Sequence, residues 1–211
     1  MTLGVIGEKL GMTQVYDAEG LVIPVTVIKV EPLTVTQIKT KETDGYNAIQ
    51  VGTVSAKEKH LTKAQIKHLQ NKNLPLFRVL KEFRVDNPSE FEVGQKIDLS
   101  VLNNVEKVDV TGRSIGKGFQ GTVKRHNFSR GPMAHGSKNH RAPGSIGAGT
   151  TPGRVYKGLR MAGNMGNETV TVSKLKVVKV DPEKNILLVK GSIPGPEGRL
   201  VTIKPSRIKW N

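Results

Sequence analysis

Residues 12–30 read MTQVYDAEGLVIPVTVIKV. β-Branched residues crowd the run from Val22 to Val30, and a polar break at Asp17–Gly20 separates it from an earlier strand-like run. That pattern predicts two strands of a hairpin. Working outward, TVTQIKT (34–40) and YNAIQVGTV (46–54) predict two more strands, with Asp44-Gly45 as a tight-turn pair between them. VEKVDV (105–110) is also strand-like. In ETVTVSKLKVVKV (168–180) apolar residues alternate with period two. Val170 and Val172 share one parity whereas Leu175 and Val177 share the other, so a bulge is expected near Ser173–Lys174. A DPEKN turn leads into ILLVKG, and a Gly/Pro loop into LVTIKP. The exception is HLTKAQIKHLQNKN (60–73), where Thr62 and Gln65 have capping-box spacing, Ile66 and Leu69 share a helical face, and Pro75 ends the run. The expected fold class is mainly β, a closed or nearly closed barrel with a small helical insert at about 60–73.

The chain has 211 residues and 36% hydrophobic content, enough for the core of one ordinary domain or two small ones. Cysteine is absent, which removes disulfides, thiolate metal sites and thiol nucleophiles and fits a reducing compartment. The start, MTLGVIGEKLGMTQ, has no basic segment leading into an apolar one, and the longest apolar stretch is about half of what a membrane-spanning helix needs. A soluble, intracellular product is expected.

Charge is the strongest bulk signal. Of the net +15, two-thirds sits in residues 110–167, which contain ten Lys or Arg and no carboxylate, between Asp109 and Glu168. A block of one sign repels itself unless it meets a polyanion. The block lacks the amphipathic apolar face that membrane binding requires, so nucleic acid is the expected partner. It also holds 13 of the 23 glycines, and apolar residues recur in it only as scattered anchors such as Phe119, Phe128, Met133, Ile146 and Tyr156. Its most extreme part, SRGPMAHGSKNHRAPGSIGAGTTPGR (129–154), cannot bury enough hydrocarbon to fold alone. If two arms of about 25 residues run out and back at roughly 3.3 Å per residue, the loop could reach on the order of 80 Å. With aromatics at only 4% of the chain, base stacking on a sheet surface is not the design; phosphate neutralisation within a folded RNA is.

Other motifs in the block or at its edge invite other readings. Gly116, Gly118 and Gly121 match the dinucleotide fingerprint G-x-G-x-x-G, but the acid needed about twenty residues on to hold the ribose is absent, and position 141 is Arg. An enzyme using a nicotinamide cofactor is therefore set aside. His126, His135 and His140 have spacings of nine and five and no nearby carboxylate to complete a metal shell, so they read as phosphate or base contacts. Asn127-Phe-Ser129 and Asn167-Glu-Thr169 match the glycosylation pattern by chance. No catalytic pairing is seen, and neither a cofactor nor a metal is expected. A general basic nucleic-acid-compacting protein is the rival reading, but it needs no single long internal extension.

GRSIGKGFQGTVKRHNFSRGPMAHGSKNHRAPGSIG (112–147) and TPGRVYKGLRMAGNMGN (151–167) closely resemble the bacterial form of a ribosomal-protein family, that of the third protein of the large subunit. GVIGEKLGMTQVYD and NILLVKGSIPGPEG also match, so the resemblance covers essentially the whole chain. It implies a translation-protein-type, Greek-key-like closed barrel formed by residues 1–111 and 168–211, and an irregular extension, 112–167, that orders on ribosomal RNA. It further implies a non-enzymatic structural role: direct binding of 23S-type RNA near its 3′ end, early action in subunit assembly, and an extension directed toward the peptidyl transferase centre. Neighbouring large-subunit proteins are the other implied partners, and cytoplasmic ribosomes the location, with organellar ribosomes equally suited by the chain's length. Carried over by motif, the RNA-contacting residues are Arg113, Lys117, Lys124, Arg125, Arg130, His135, Lys138, His140, Arg141, Arg154, Lys157 and Arg160, with Asn164 and Asn167 on the return. Some bacterial members carry a methylated glutamine just before Thr-Pro-Gly; here that position is Thr150.

Overall fold

The hairpin read from residues 12–30 is present and longer than its apolar run. In the computed structural model, which describes residues 3–206, strand β1 (Val5–Tyr16) turns at Asp17–Gly20 into β2 (Val22–Lys29). The Gly20 amide donates to the Asp17 carbonyl (2.9 Å) to close the turn. Seven residues of β1 precede Met12, in a stretch whose glycines argue against a strand. Gly7 explains why they are tolerated: a Cβ there would meet the Ile28 side chain and the Lys29 carbonyl, so the glycine lets β1 lie close against its neighbour.

The chain continues through β3 (Leu33–Lys39), α1 (Lys41–Asp44), β4 (Ala48–Ser55), α2 (Lys63–Gln70), β5 (Phe77–Arg84), β6 (Lys96–Ile97) and β7 (Lys107–Arg113). Then come β8 (Phe119–Gln120), α3 (Thr122–His126), β9 (Gly163–Asn164), β10 (Thr169–Asp181), β11 (Ile186–Lys190) and β12 (Leu200–Pro205). Six strands close a ring in the order β1-β12-β7-β10-β11-β2. Every pairing in that ring is antiparallel, which leaves no open edge. The expected bulge is there. The register of β10 against β7 shifts between Val172 and Leu175, Lys174 takes φ 60°, and its amide donates to Asp109 Oδ1 at 2.8 Å.

Two expectations need correction. TVTQIKT and YNAIQVGTV are strands, β3 and β4, but they lie outside the ring, in a second sheet ordered β5-β4-β3-β6. Alternation reveals which face of a strand is buried but not which strand it pairs with, and the sequence pattern assigned no strand to β5 or β6 at all. Nor is Asp44-Gly45 a two-residue hairpin turn. Residues 41–44 form one helical turn, and Gly45, at φ 81°, is its left-handed C-cap, the other common use of a glycine's positive φ. The helical insert behaves as read: Thr62 and Gln65 form a complete capping box, Leu69 is buried, and the helix ends at Gln70, before Pro75.

Ring and second sheet share one core. Val5, Ile28, Val110, Leu187 and Ile203 from the ring join Leu33, Val35, Ile49, Val51 and Phe83 from the sheet in a single buried cluster. Lys81 crosses between them, donating to Thr202 Oγ1 at 2.7 Å; burial, with Lys204 nearby, lowers its pKa. Over the second sheet, Lys39 of β3 reaches past β4 to Glu82 of β5 (2.8 Å), and both meet the Tyr46 hydroxyl. The hydrogen bond from Lys39 holds the Glu82 carboxyl below its ordinary range.

Two outcomes follow for stability. Gly7→Ala should lower stability by about 1–3 kcal/mol, measured by denaturant unfolding, because the new methyl overpacks β1 against β2. Because Glu82 titrates lower in the folded chain than unfolded, its contribution is present above the ordinary carboxylate pKa and is lost as pH falls through the folded value. The melting-temperature difference between the parent and Glu82→Gln should therefore be present at pH 7 and shrink as pH falls below 4.5, the ordinary value for a glutamate carboxyl.

Candidate RNA interface

The chain divides into two compact units, Met1–Arg113 with Thr169–Asn211, and Ser114–Glu168. Between residues 114 and 168 only Thr122 is buried. A segment with one buried side chain has almost no apolar burial to offset its conformational entropy, and what shape it has must come from backbone geometry and hydrogen bonds.

Those bonds begin where the two arms run side by side. The Ser114 amide donates to the Glu168 carbonyl (2.9 Å), the Glu168 amide to Ser114 Oγ (3.2 Å), the Lys117 amide to Met165 O (2.8 Å), and the Met165 amide to Gly118 O (3.0 Å). Next, β8 pairs antiparallel with β9, setting Phe119 opposite Asn164 and Gln120 opposite Gly163. Beyond that pair the single turn α3 carries Lys124, Arg125 and His126 and ends on Asn127, in the left-handed conformation at φ 60°. Arg125 Nη1 and His126 Nε2 both donate to the carbonyl of Met161, at 2.8 and 3.0 Å, and so brace the outgoing arm against the returning one. A Cβ on Gly163 would collide with the Arg125 guanidinium, so the glycine makes room for the brace.

Past the brace the backbone turns repeatedly. The Gly131 amide donates to His140 O (3.0 Å), and His140 Nδ1 donates to Pro132 O (3.0 Å). Between them His135 and Gly136 both have positive φ, at 58° and 75°. The Arg154 guanidinium lies over the Tyr156 ring, 5.7 Å from its centroid, and both side chains are exposed.

Of the fourteen residues read from the sequence, Lys117, Lys124, Arg130, His135, Lys138, His140, Arg141, Arg154, Lys157, Arg160, Asn164 and Asn167 are exposed on this unit. Arg113 is exposed at the end of β7, in the other unit. Arg125 differs: it is half-buried, and part of its donor set is used on Met161, leaving the other guanidinium N–H groups for a ligand. His140 has likewise committed Nδ1 and presents Nε2. Sequence patterns do not single out His126 and Met161 as parts of one brace, because a backbone carbonyl acceptor carries no residue signature. His126, His135 and His140 belong to no group of three potential metal ligands among the described residues. The only carboxylate in this unit is Glu168, so within it nearly all the positive charge faces solvent without an acid to offset it. Such a surface can neutralise phosphates along a folded polyanion, with backbone amides and the Arg154–Tyr156 pair supplementing the charges.

Comparison with known proteins converges on one family. Residues 83–185 match the family Ribosomal protein L3, a span that contains the whole basic unit. Along nearly the full length, the chain is 58% identical to "Large ribosomal subunit protein uL3" of Synechococcus sp. (strain JA-3-3Ab), covering 98% of this chain and 97% of that protein. It is 54% identical to the protein of the same name from Nostoc punctiforme, covering 99% of each. It is 57% identical to "Large ribosomal subunit protein uL3c" of Cyanophora paradoxa, covering 96% of this chain and 97% of that one. A β ring interrupted by an acid-free, glycine-rich unit, together with identity of this level over almost every residue, places the chain in the uL3 family of large-subunit ribosomal proteins.

Proposed function

We propose that the basic segment, residues 112–167, binds 23S-type ribosomal RNA directly near its 3′ end, orders on it early in subunit assembly and reaches toward the peptidyl transferase centre. The chain is a structural, non-enzymatic member of the large ribosomal subunit, and ribosome-bound. The observation that carries the finer reading is the coincidence of charge and lack of core: residues 110–167 hold ten Lys or Arg and no acid, and within 114–168 one side chain is buried.

The mechanism is folding coupled to binding. Ordering a coreless segment costs conformational entropy; phosphate contacts and the counterions they release offset it. Arg125, His126 and the β8–β9 pair fix where the arms start, so that Arg130, Lys138, Arg141, Arg154, Lys157 and Arg160 are delivered beyond a braced base. Neighbouring large-subunit proteins would contact the rest of the surface.

The test is a titration of the purified chain against a transcript of the 3′ portion of 23S RNA over a range of KCl concentrations. Lys138→Ala/Arg141→Ala/Arg154→Ala should weaken binding and reduce the slope of log K against log[salt] by about 2–3, at roughly 0.7–0.9 per lost phosphate contact. Lys57→Ala/Lys59→Ala/Lys63→Ala, on the other unit, should leave the slope nearly unchanged. Equal effects from the two triple variants would remove the basis for the assignment.

A further inference from the structure

The opposite extreme of the charge pattern lies on the β1–β2 hairpin. Residues 10–28 contain no Lys or Arg in a chain of net charge +15, and their two charged side chains are Asp17 and Glu19, at the turn. The cations that flank the segment are turned elsewhere. Lys9 Nζ donates to the carbonyls of Ile193 (3.2 Å) and Gly195 (2.8 Å), and Lys29 pairs with Glu31 at 3.1 Å.

The hairpin's register gathers its exposed apolar residues on one face. Gln14 stands opposite Pro24 and Tyr16 opposite Val22, with Met12 next in the same alternation. Residues directly opposite in an antiparallel pair project to the same side, so Met12, Gln14, Tyr16, Val22 and Pro24 form one continuous surface. Tyr16 is 66% exposed, Val22 54% and Met12 52%; Leu21 at the turn is 61% exposed. Val15 and Ile23, of the other parity, are half-buried. Single exposed apolar residues are ordinary, but a clustered face at the end of a paired hairpin marks a contact surface.

We infer that this face docks onto a basic protein neighbour in the large subunit, with Tyr16 and Val22 seated in an apolar depression and Asp17 and Glu19 meeting Lys or Arg at its rim. The inference rests on the ribosomal reading above. Charge complementarity selects the partner: an acid-tipped hairpin with no cation of its own among residues 10–28 is poorly suited to neutralise phosphate and is repelled by it. A tyrosine with its hydroxyl already accepting from Gln14 Nε2 (3.4 Å) fits the aromatic anchor of a protein interface.

The test places the photo-crosslinking residue p-benzoylphenylalanine at position 16 of the full chain, and separately at position 156, in large subunits assembled in cells and then purified. Position 16 should yield an adduct with a large-subunit protein, identified by mass spectrometry and mapping to a Lys/Arg-rich peptide; position 156 should yield an RNA adduct. An RNA adduct at position 16, or none to any macromolecule, overturns the docking proposal. Failure at position 156 counts against RNA contact by the basic unit alone, so the two proposals fail separately. As a second readout, Tyr16→Ser/Val22→Ser should lower retention of the crosslinked neighbour on salt-washed subunits by about tenfold, the loss typical of removing a central aromatic anchor. RNA affinity and melting temperature should stay unchanged. Undiminished retention of the neighbour would contradict the proposal.

Discussion

The antiparallel pairing of β7 with β10 is the joint on which the rest of the structure depends. It is one of the contacts that closes the ring, and its end pair, Arg113 opposite Thr169, is where the chain leaves the ring's unit and returns to it. Holding the two ends of a long excursion together costs little more than holding a short one, since each doubling of loop length adds only about 0.6 kcal/mol. A paired β ladder can therefore close the whole of Ser114–Glu168, a stretch with one buried side chain. Asp109 shows how closely the joint is specified. It is the last acid before the basic block, and its carboxylate holds the bulge at Lys174 on the facing strand.

The two compact units answer opposite physical problems. The first buries its apolar residues in one cluster spanning ring and second sheet, and side-chain hydrogen bonds fix polar groups at its margins, as at Lys81–Thr202 and Lys39–Tyr46–Glu82. The second has little to bury. Its short-range order comes from the amide ladder between 114–118 and 165–168, one two-residue strand pair and the Arg125–His126 brace on Met161. Beyond the brace most side chains are exposed and the charge has one sign, which is the basis for proposing that RNA completes the unit. The hairpin face at Met12, Tyr16 and Val22 is the complementary case, apolar and acid-tipped, which divides the chain's surface into regions suited to different neighbours.

Features written in neighbouring residues were legible in the sequence. The 12–30 hairpin, the capping box at Thr62 and Gln65, and the bulge at Ser173–Lys174 each follow from a pattern spanning a few residues. Pairings between distant segments were not. Nothing in LVTIKP says that it lies between β1 and β7, nor in TVTQIKT that it joins a second sheet, because alternation is the same whichever partner covers the strand. Glycines misled in two ways. Gly7 lies inside a strand for reasons of close packing, and Gly45 caps a helical turn where a tight two-residue turn was expected. For the candidate site, the charge block named the cations, whereas the brace was hidden because its acceptor is the backbone of Met161.

In the proposed function the basic unit has too little core to be stable by itself and acquires its order from RNA. Amide hydrogen exchange, read residue by residue on the isolated chain and on its complex with 23S-type RNA, tests this most directly. Slow exchange is expected in β1, β7, β10 and β12 in both samples, fast exchange across 125–160 in the isolated chain, and protection of 125–160 when RNA is bound. Uniform protection of 125–160 without RNA would contradict the proposal.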